Sequence, residues 1–575
     1  EPILGPVLEF EVNWPIFEAP TDPLDTDDGC TVYQEERCEG GSLQRCEVFD
    51  ADDNLFLDLD LLIDEGGPSA TDMEMLQRAY LYDRWYDLHA SPDGQTAERV
   101  YTQEMPPGTP EEVWADPQYL ARWAGAGDSA IWTGTALNGF ILRYLVTGTE
   151  ADYRRMEEKT RVMVNFFEVT RIPGYLARYH YLLVPEGTPA NPDHIYEWPP
   201  DANLDNRDIE DPETLDFLPA HYFEVEGTPR WSGDPSIDQY NGPMVAFPMV
   251  YGLLRDEALK ERIAYHMVCY LHSLRRIEIR NLQANEAALQ AFNDLFAGGA
   301  GLNLDPGDID FMTIDKIVMY VHPQINVNNE DTYDRTCGDF VQLEPWRVID
   351  ATSRTFVPDL LTLVQDIARP SNRPNQINHF YIPSIRGGDA MHMMHLTTMA
   401  HAFTGDDRYI EFLQTELMQN IRTAEVAKTM SAYLLPKFCR RFYGTNITAG
   451  PLWAFNNLLR ASPLDTWMQE VSLEEMYLKE TRDIGNVNTN LMFAGSVSPE
   501  IGGEYRDEAI AYALEELPRF GGNGGILNDP RRTYNRQFED VVAQFPEGTT
   551  VQCPTEEERQ TCGREISVFG VALPS

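Results

Sequence analysis

Two carboxylates stand four residues apart in RWSGDPSIDQYNG, at Asp234 and Asp238, beside the indole of Trp231 and the phenol of Tyr240. Such a pair can move a proton on and off a substrate if one member is held protonated and the other ionised. The same residue types also start helices. Asp is a favoured N-cap, and a proline such as Pro235 suits the first turn. On this spacing Asp234 reads as a cap. Asp238 falls in the first turn, where the helix dipole favours an ionised carboxylate suited to a general base or a cation ligand. A partner has to come from another segment. Gly127-Asp128 in GAGDSAIWTG and Gly388-Asp389 in IRGGDAMHMMH precede apolar helical stretches as Gly233-Asp234 does. Repeated N-capping and a ring of carboxylates at a common mouth both account for the recurrence.

A second group of candidates is LARYHYLL, with Arg178, His180 and Tyr181. Arg178 could grip a carboxylate with its bidentate fork, and His180 or Tyr181 could abstract a proton beside it. The alternation also describes an ordinary half-buried strand. DAMHMMH carries His392 and His395, but it lacks the spacing of a zinc helix, and its methionines point to a core helix. Oxygen ligands for Ca²⁺ crowd NLDPGDIDFMTID, with Asp305, Asp308 and Asp310, and similar loops lie at 50–60 and 326–334. None follows the EF-hand order, so solvated loops are the competing reading. Neither a phosphate-binding P-loop nor a serine-hydrolase elbow is present.

The elements that would position these residues are helical. IWTGTALNGFILRYLVTGTEADYRRMEEKTRVMVNFFEVT reads as an apolar helix, a TG turn and a more polar helix. The scheme recurs with an RD turn in MVAFPMVYGLLRDEALKERIAYHMVCYLHSL and a TGDD turn in AMHMMHLTTMAHAFTGDDRYIEFLQTELMQNI. It recurs again in TAGPLWAFNNLLRASPLDTWMQEVSLEEMYL. Inner helices apolar all round, alternating with amphipathic outer ones, suit an (α/α) toroid, and the long insertions at 183–235 and 299–350 suit loops gathered at its mouth. The chain therefore divides into an extended segment at 1–67, a toroid at 68–480 and a loop-rich segment at 481–575. The strand-like stretches VLEFEVNW and EISVFGVALPS lie near its two ends.

The chain has 575 residues and 43% hydrophobic content, enough for a large core. Its formal net charge of -49 should repel nucleic acid and anionic membranes. Only 6 of the 44 basic residues are lysine, in keeping with an acidic, solvated coat. No apolar run is long enough to span a bilayer. Of the eight cysteines, Cys30, Cys38 and Cys46 recur every eight residues, and Cys553 and Cys562 close a short acidic loop. Cysteines in core-poor segments suggest disulfides and an oxidising compartment, whereas Cys269, in AYHMVCYLHSL, reads as a buried free thiol.

WTGTALNGFILRYLVTGTEADY, IPGYLARYHY, WSGDPSIDQYNG and TGDDRYIEF together resemble the six-hairpin glycosidase superfamily, over about residues 120 to 460. The resemblance implies an (α/α)6 toroid in a secreted bacterial protein, holding carbohydrate, usually acidic polysaccharide, in a cleft at one end of the inner helices. Glycoside hydrolases and polysaccharide lyases both belong there. In that setting Asp128 would be the acid and Asp238 the base, with about 6.5–9.5 Å between them for inverting chemistry. Trp132, Trp231 and Tyr240 would stack on sugar rings, with core or rim packing as their competing role; Arg178 and Tyr181 would bind substrate, Asp389 would join at the mouth, and His180 would serve a lyase. The competing expectation is a non-catalytic subunit of an extracellular assembly, joined to its neighbours through the terminal strands and bridged by Ca²⁺.

Overall fold

A computed structural model of the chain describes residues 89–103, 116–182, 235–282, 316–323, 344–368, 377–427, 442–482 and 487–516, with a few gaps inside these spans and short pieces outside them. The pieces include two-residue strands β1 (Val48–Phe49) and β2 (Leu55–Phe56). Helices predominate, and they come as hairpins. The first is α1 (Ser129–Thr147) and α2 (Glu150–Glu168), the second α3 (Ile237–Tyr251) and α4 (Glu257–Ser273). The third joins α6 (Gly387–Thr404) to the short α7 (Arg408–Phe412), which runs on as a π-helical stretch, Leu413–Ile421. The fourth joins α9 (Phe442–Leu458) to α10 (Asp465–Val471), which continues as a second π-helical stretch, Ser472–Thr481.

Local chemistry explains the turns. Gly148 and Gly405 end α1 and α6 in the left-handed conformation, which a residue without Cβ adopts at least cost. Thr149 then caps α2 by accepting from Asp152 N, and Asp256 caps α4 by accepting from Leu259 N. In α3 every residue from Asp238 to Val250 is buried, and α6 is buried along nearly its whole length. Helices apolar all round must pack on several sides. They form the main core with α1, α9 and the inner faces of α2 and α4.

Two expectations need correction. The helical pattern does not fade at Thr481: α11 (Val487–Ser496) and α12 (Pro499–Glu516) form a fifth hairpin. The described β-structure is also not confined to the ends of the chain. A four-stranded sheet in the order β10–β8–β9–β11 sits in its middle, built from β8 (Arg275–Arg280), β9 (Ile317–Pro323), β10 (Arg347–Asp350) and β11 (Ile377–Tyr381). One face holds Ile277, Ile279, Met319 and Ile349 against α5 (Phe356–Ala368), while Val318, Tyr320 and Tyr381 on the other join the main helical core. Inside that junction Arg276 is buried between Glu278 and Glu416, each at 2.5 Å. Both terminal strand-like stretches, VLEFEVNW and EISVFGVALPS, lie outside the described residues.

Cys269 is not a free thiol. It is disulfide-bonded to Cys337, 68 residues on. The bridge ties the segment carrying Gly338 and Phe340 to α4, where His272 bonds both the Gly338 carbonyl (2.8 Å) and Tyr409 Oη (2.9 Å). Short α8 (Thr423–Ala427) packs on α6 and completes the third hairpin.

Candidate functional site

Two small β-elements deliver the candidate residues. The hairpin of β3 (Glu98–Tyr101) and β4 (Leu120–Ala124) runs into a 3-10 turn, Ala126–Asp128, and then into α1. A three-stranded sheet in the order β5–β7–β6 is formed by β5 (Tyr179–Leu182), β7 (Pro229–Ser232) and β6 (Arg207–Asp208). Its register sets His180 opposite Trp231 and Tyr181 opposite Arg230. LARYHYLL and RWSGDPSIDQYNG, which look like separate sites in the sequence, are therefore neighbours, and the strand reading of the first holds. The edge of β5 is completed by a side chain: His180 N donates to Gln95 Oε1 (2.9 Å), and Gln95 Nε2 donates to His180 O.

The N-termini of α1 and α3 are pressed together because the helices cross at two glycines. A Cβ on Gly134 would stand 2.3 Å from Gly242 Cα, and one on Gly242 would stand 2.3 Å from Ala130 O. Only side chains without Cβ permit this approach. Across the crossing Gln239 joins the two aspartates that the sequence singles out. Its Nε2 donates to Asp128 Oδ1 (3.0 Å) and to Asp238 Oδ2 (2.8 Å). Its Oε1 accepts from Ser236 N (2.7 Å) and lies 2.6 Å from Ser236 Oγ. Ser236 Oγ also bonds Asp238 Oδ1 and accepts from Arg178 Nη2 (3.3 Å). The other end of the Arg178 fork donates to Gly127 O (3.2 Å).

The helix start differs from expectation. Ser236, not Asp234, is the N-cap of α3, and Ser236 with Gln239 forms the capping box S-x-x-Q. Pro235 thus precedes the cap, and Asp234 itself lies outside the described residues. Asp128 occupies the N-cap position of α1 yet makes no side-chain cap bond; its carboxylate turns to Gln239 instead. Burial pushes the Asp128 carboxyl above its ordinary range. The charge of Asp238 adds to the rise, and Arg178 and the Gln239 bond offset part of it. Asp128 is half-buried while Asp238 is buried.

Other candidates fall elsewhere. Tyr240 is wholly buried, with Oη accepting from Leu176 N (3.1 Å) and donating to Gly174 O (3.0 Å), and its ring stacks on Tyr270 at 3.8 Å. No face remains for a sugar. Asp389 lies inside the first turn of α6, wholly buried; it accepts from Ile382 N (2.6 Å) and pairs with Arg386 at 3.3 Å. It is a structural carboxylate and not part of a ring at the mouth. His180 is buried with its ring edge-on to Phe166 at 4.8 Å. Trp132 is half-buried one turn into α1. The backbones of Tyr181 and Trp231 are in their strands, and their side chains lie outside what is described. Asp305, Asp308 and Asp310 also lie outside it. Among the described residues no three His, Cys, Asp or Glu side chains are grouped to hold a metal, and no helix is long and apolar enough to cross a membrane.

Sequence reasoning missed Gln239, although the S-x-x-Q box was there to be read. Comparison with protein-family models, curated proteins and solved structures finds no match to this chain.

Proposed function

We propose that the protein is a secreted glycoside hydrolase acting on polysaccharide, its hairpins closing as an (α/α) toroid, with Asp128 as proton donor and Asp238 as its ionised partner. The observation that carries this reading is the single amide of Gln239 shared by carboxylates from two different hairpins. A raised Asp128 beside a buried, hydrogen-bonded Asp238 is the split in environment that separates an acid from a base or nucleophile. Two bonds to one nitrogen hold the facing oxygens less than about 6 Å apart. An acid and its partner this near can act on one glycosidic bond. Arg178, bonded to Ser236 and close enough to act on Asp128, favours an anionic sugar unit. The Cys269–Cys337 disulfide is in keeping with an oxidising, extracellular compartment. Ca²⁺ bound by the loop of Asp305, Asp308 and Asp310 remains part of the proposal.

The test is reducing-sugar release, together with the ultraviolet absorbance of unsaturated uronates, from acidic and neutral polysaccharides with Ca²⁺ present. Wild type is compared with Asp128→Asn and Asp238→Asn. Each variant should lose about 10²–10⁴-fold in rate, and proton NMR of the first product reads whether configuration is retained or inverted. Undiminished activity in both variants would overturn the assignment of residues. No product from any polysaccharide would overturn the enzyme reading in favour of a glycan-binding or assembly subunit.

A further inference from the structure

We propose that Gln239 is the positioning residue of the carboxylate pair: its amide, pinned at the oxygen by the N-cap of α3, spends both N–H groups on Asp128 and Asp238 and so orients the two and limits how firmly Asp128 holds its proton. The inference rests on the reading of Asp128 and Asp238 as the reacting pair.

The orientation of the amide is fixed by its neighbours. Ser236 N is a donor only and stands 2.7 Å from Oε1. A reversed amide would set an N–H against that donor and a lone pair against two carboxylates. Gln239 is fully buried, on the rigid first turn of a buried helix, and has no second position to relax into. A bond from a fixed N–H stabilises whichever oxygen is ionised. Sharing one amide between two acids makes their ionisations depend on each other. The groups that face the pair come from three elements: Asp128 from the turn before α1, Ser236 and Asp238 from the start of α3, and Arg178 from the residue before β5. Arg178 approaches from the side of Ser236 and Gly127. Gln239 bonds both carboxylates through one nitrogen.

Two substitutions separate positioning from folding. Gln239→Glu keeps an oxygen for Ser236 N, and Glu is favoured at this position of a capping box, so the helix start survives. It removes both N–H donors and adds a charge. Gln239→Met removes the donors and adds none. Infrared difference spectra between each protein and its Asp128→Asn counterpart isolate the carbonyl band of protonated Asp128, which is then followed against pH. We expect that band to persist to higher pH in both variants, by about one unit or more. Where the polysaccharide assay gives a rate, its alkaline limb moves the same way, because a general acid must be protonated to act. A band that titrates in Gln239→Met as in wild type overturns the proposal, including the case where only Gln239→Glu shifts, since added charge would then be the cause. The infrared result needs no turnover. A shifted band in a protein that cleaves nothing would therefore uphold the positioning role while the hydrolase reading fails.

Discussion

At the scale of the residue, burial decides what each ionisable side chain can do. Asp389 and Asp128 both follow a glycine at the head of an apolar helix, yet they end in different states. Asp389 is sealed by a backbone N–H and by Arg386, and nothing is left to react. Asp128 keeps one side near solvent and shares its amide donor with a second acid. Glu168 shows the same logic away from the site. It is buried at the end of α2 and takes a two-pronged bond from Arg262 (2.5 and 2.6 Å), with His266 Nε2 4.0 Å away. Burial nevertheless pushes the carboxyl up to about 7, with Arg262 opposing, and pushes His266 down to about 3. A folded pKa above the unfolded one means the contribution to stability is complete below the unfolded value, near 4.5, and is lost as pH rises through about 7. Glu168→Gln cannot titrate. Its melting temperature relative to wild type should therefore climb from about pH 5 to about pH 7 and level off above that, by the equivalent of no more than about 3 kcal/mol in all. A pH-independent difference would show that the Arg262 pair holds the carboxylate ionised throughout.

At the scale of the element, the α1–α3 crossing is the device that makes a site from two helix starts. Gly134→Ala would drive a methyl to 2.3 Å from Gly242 Cα. Backbone stands on both sides, so the helices must separate, at a cost of about 1–3 kcal/mol. We expect a lower urea midpoint and, because Asp128 and Gln239 sit on opposite helices, a larger proportional loss of activity than of stability. Gly139 is a control on the same helix: a Cβ there meets nothing within 4 Å, and Gly139→Ala should be neutral or stabilising. Equal destabilisation by the two would refute the close-approach account. The two π-helical stretches stand at matching places in the third and fourth hairpins, each continuing a short helix.

At the scale of the whole molecule, long-range ties hold together elements that hairpin packing alone leaves separate. The Cys269–Cys337 bridge closes a loop of 68 residues. By chain entropy, closure of that length stabilises by about 4 kcal/mol, less any native strain. Cys337→Ser, or reduction without denaturant, should lower the melting temperature, and two thiols per chain beyond the wild-type count should become titratable on reduction of this bridge. Identical melting curves before and after reduction would show that the bridge contributes little. The buried Arg276 network between the sheet and the π-helical stretch works differently. Removing Glu416 would strand a buried guanidinium beside Glu278 alone, which costs more than the intact arrangement contributes.

Sequence by itself determined the repeated hairpins, because apolar period, αL glycines and N-caps are local and each turn carries its own instructions. It marked Asp128, Asp238 and Arg178 as the residues to follow, by type and by place before apolar helices. It could not separate Asp128 from Asp389, since what distinguishes them is whether a backbone N–H 7 residues back or a glutamine 111 residues on reaches the carboxylate. It left Tyr240 between a sugar platform and core packing, and only the tertiary structure showed that its hydroxyl is bonded inside the core. It left Cys269 without a partner, because pairing depends on a distance in space that spacing along the chain does not encode. The strands of the central sheet were missed for a related reason: short strands buried on both faces lose the alternation by which strands announce themselves. What the tertiary structure decided was the meeting of distant segments, and the carboxylate pair exists only where two glycines let α1 and α3 touch.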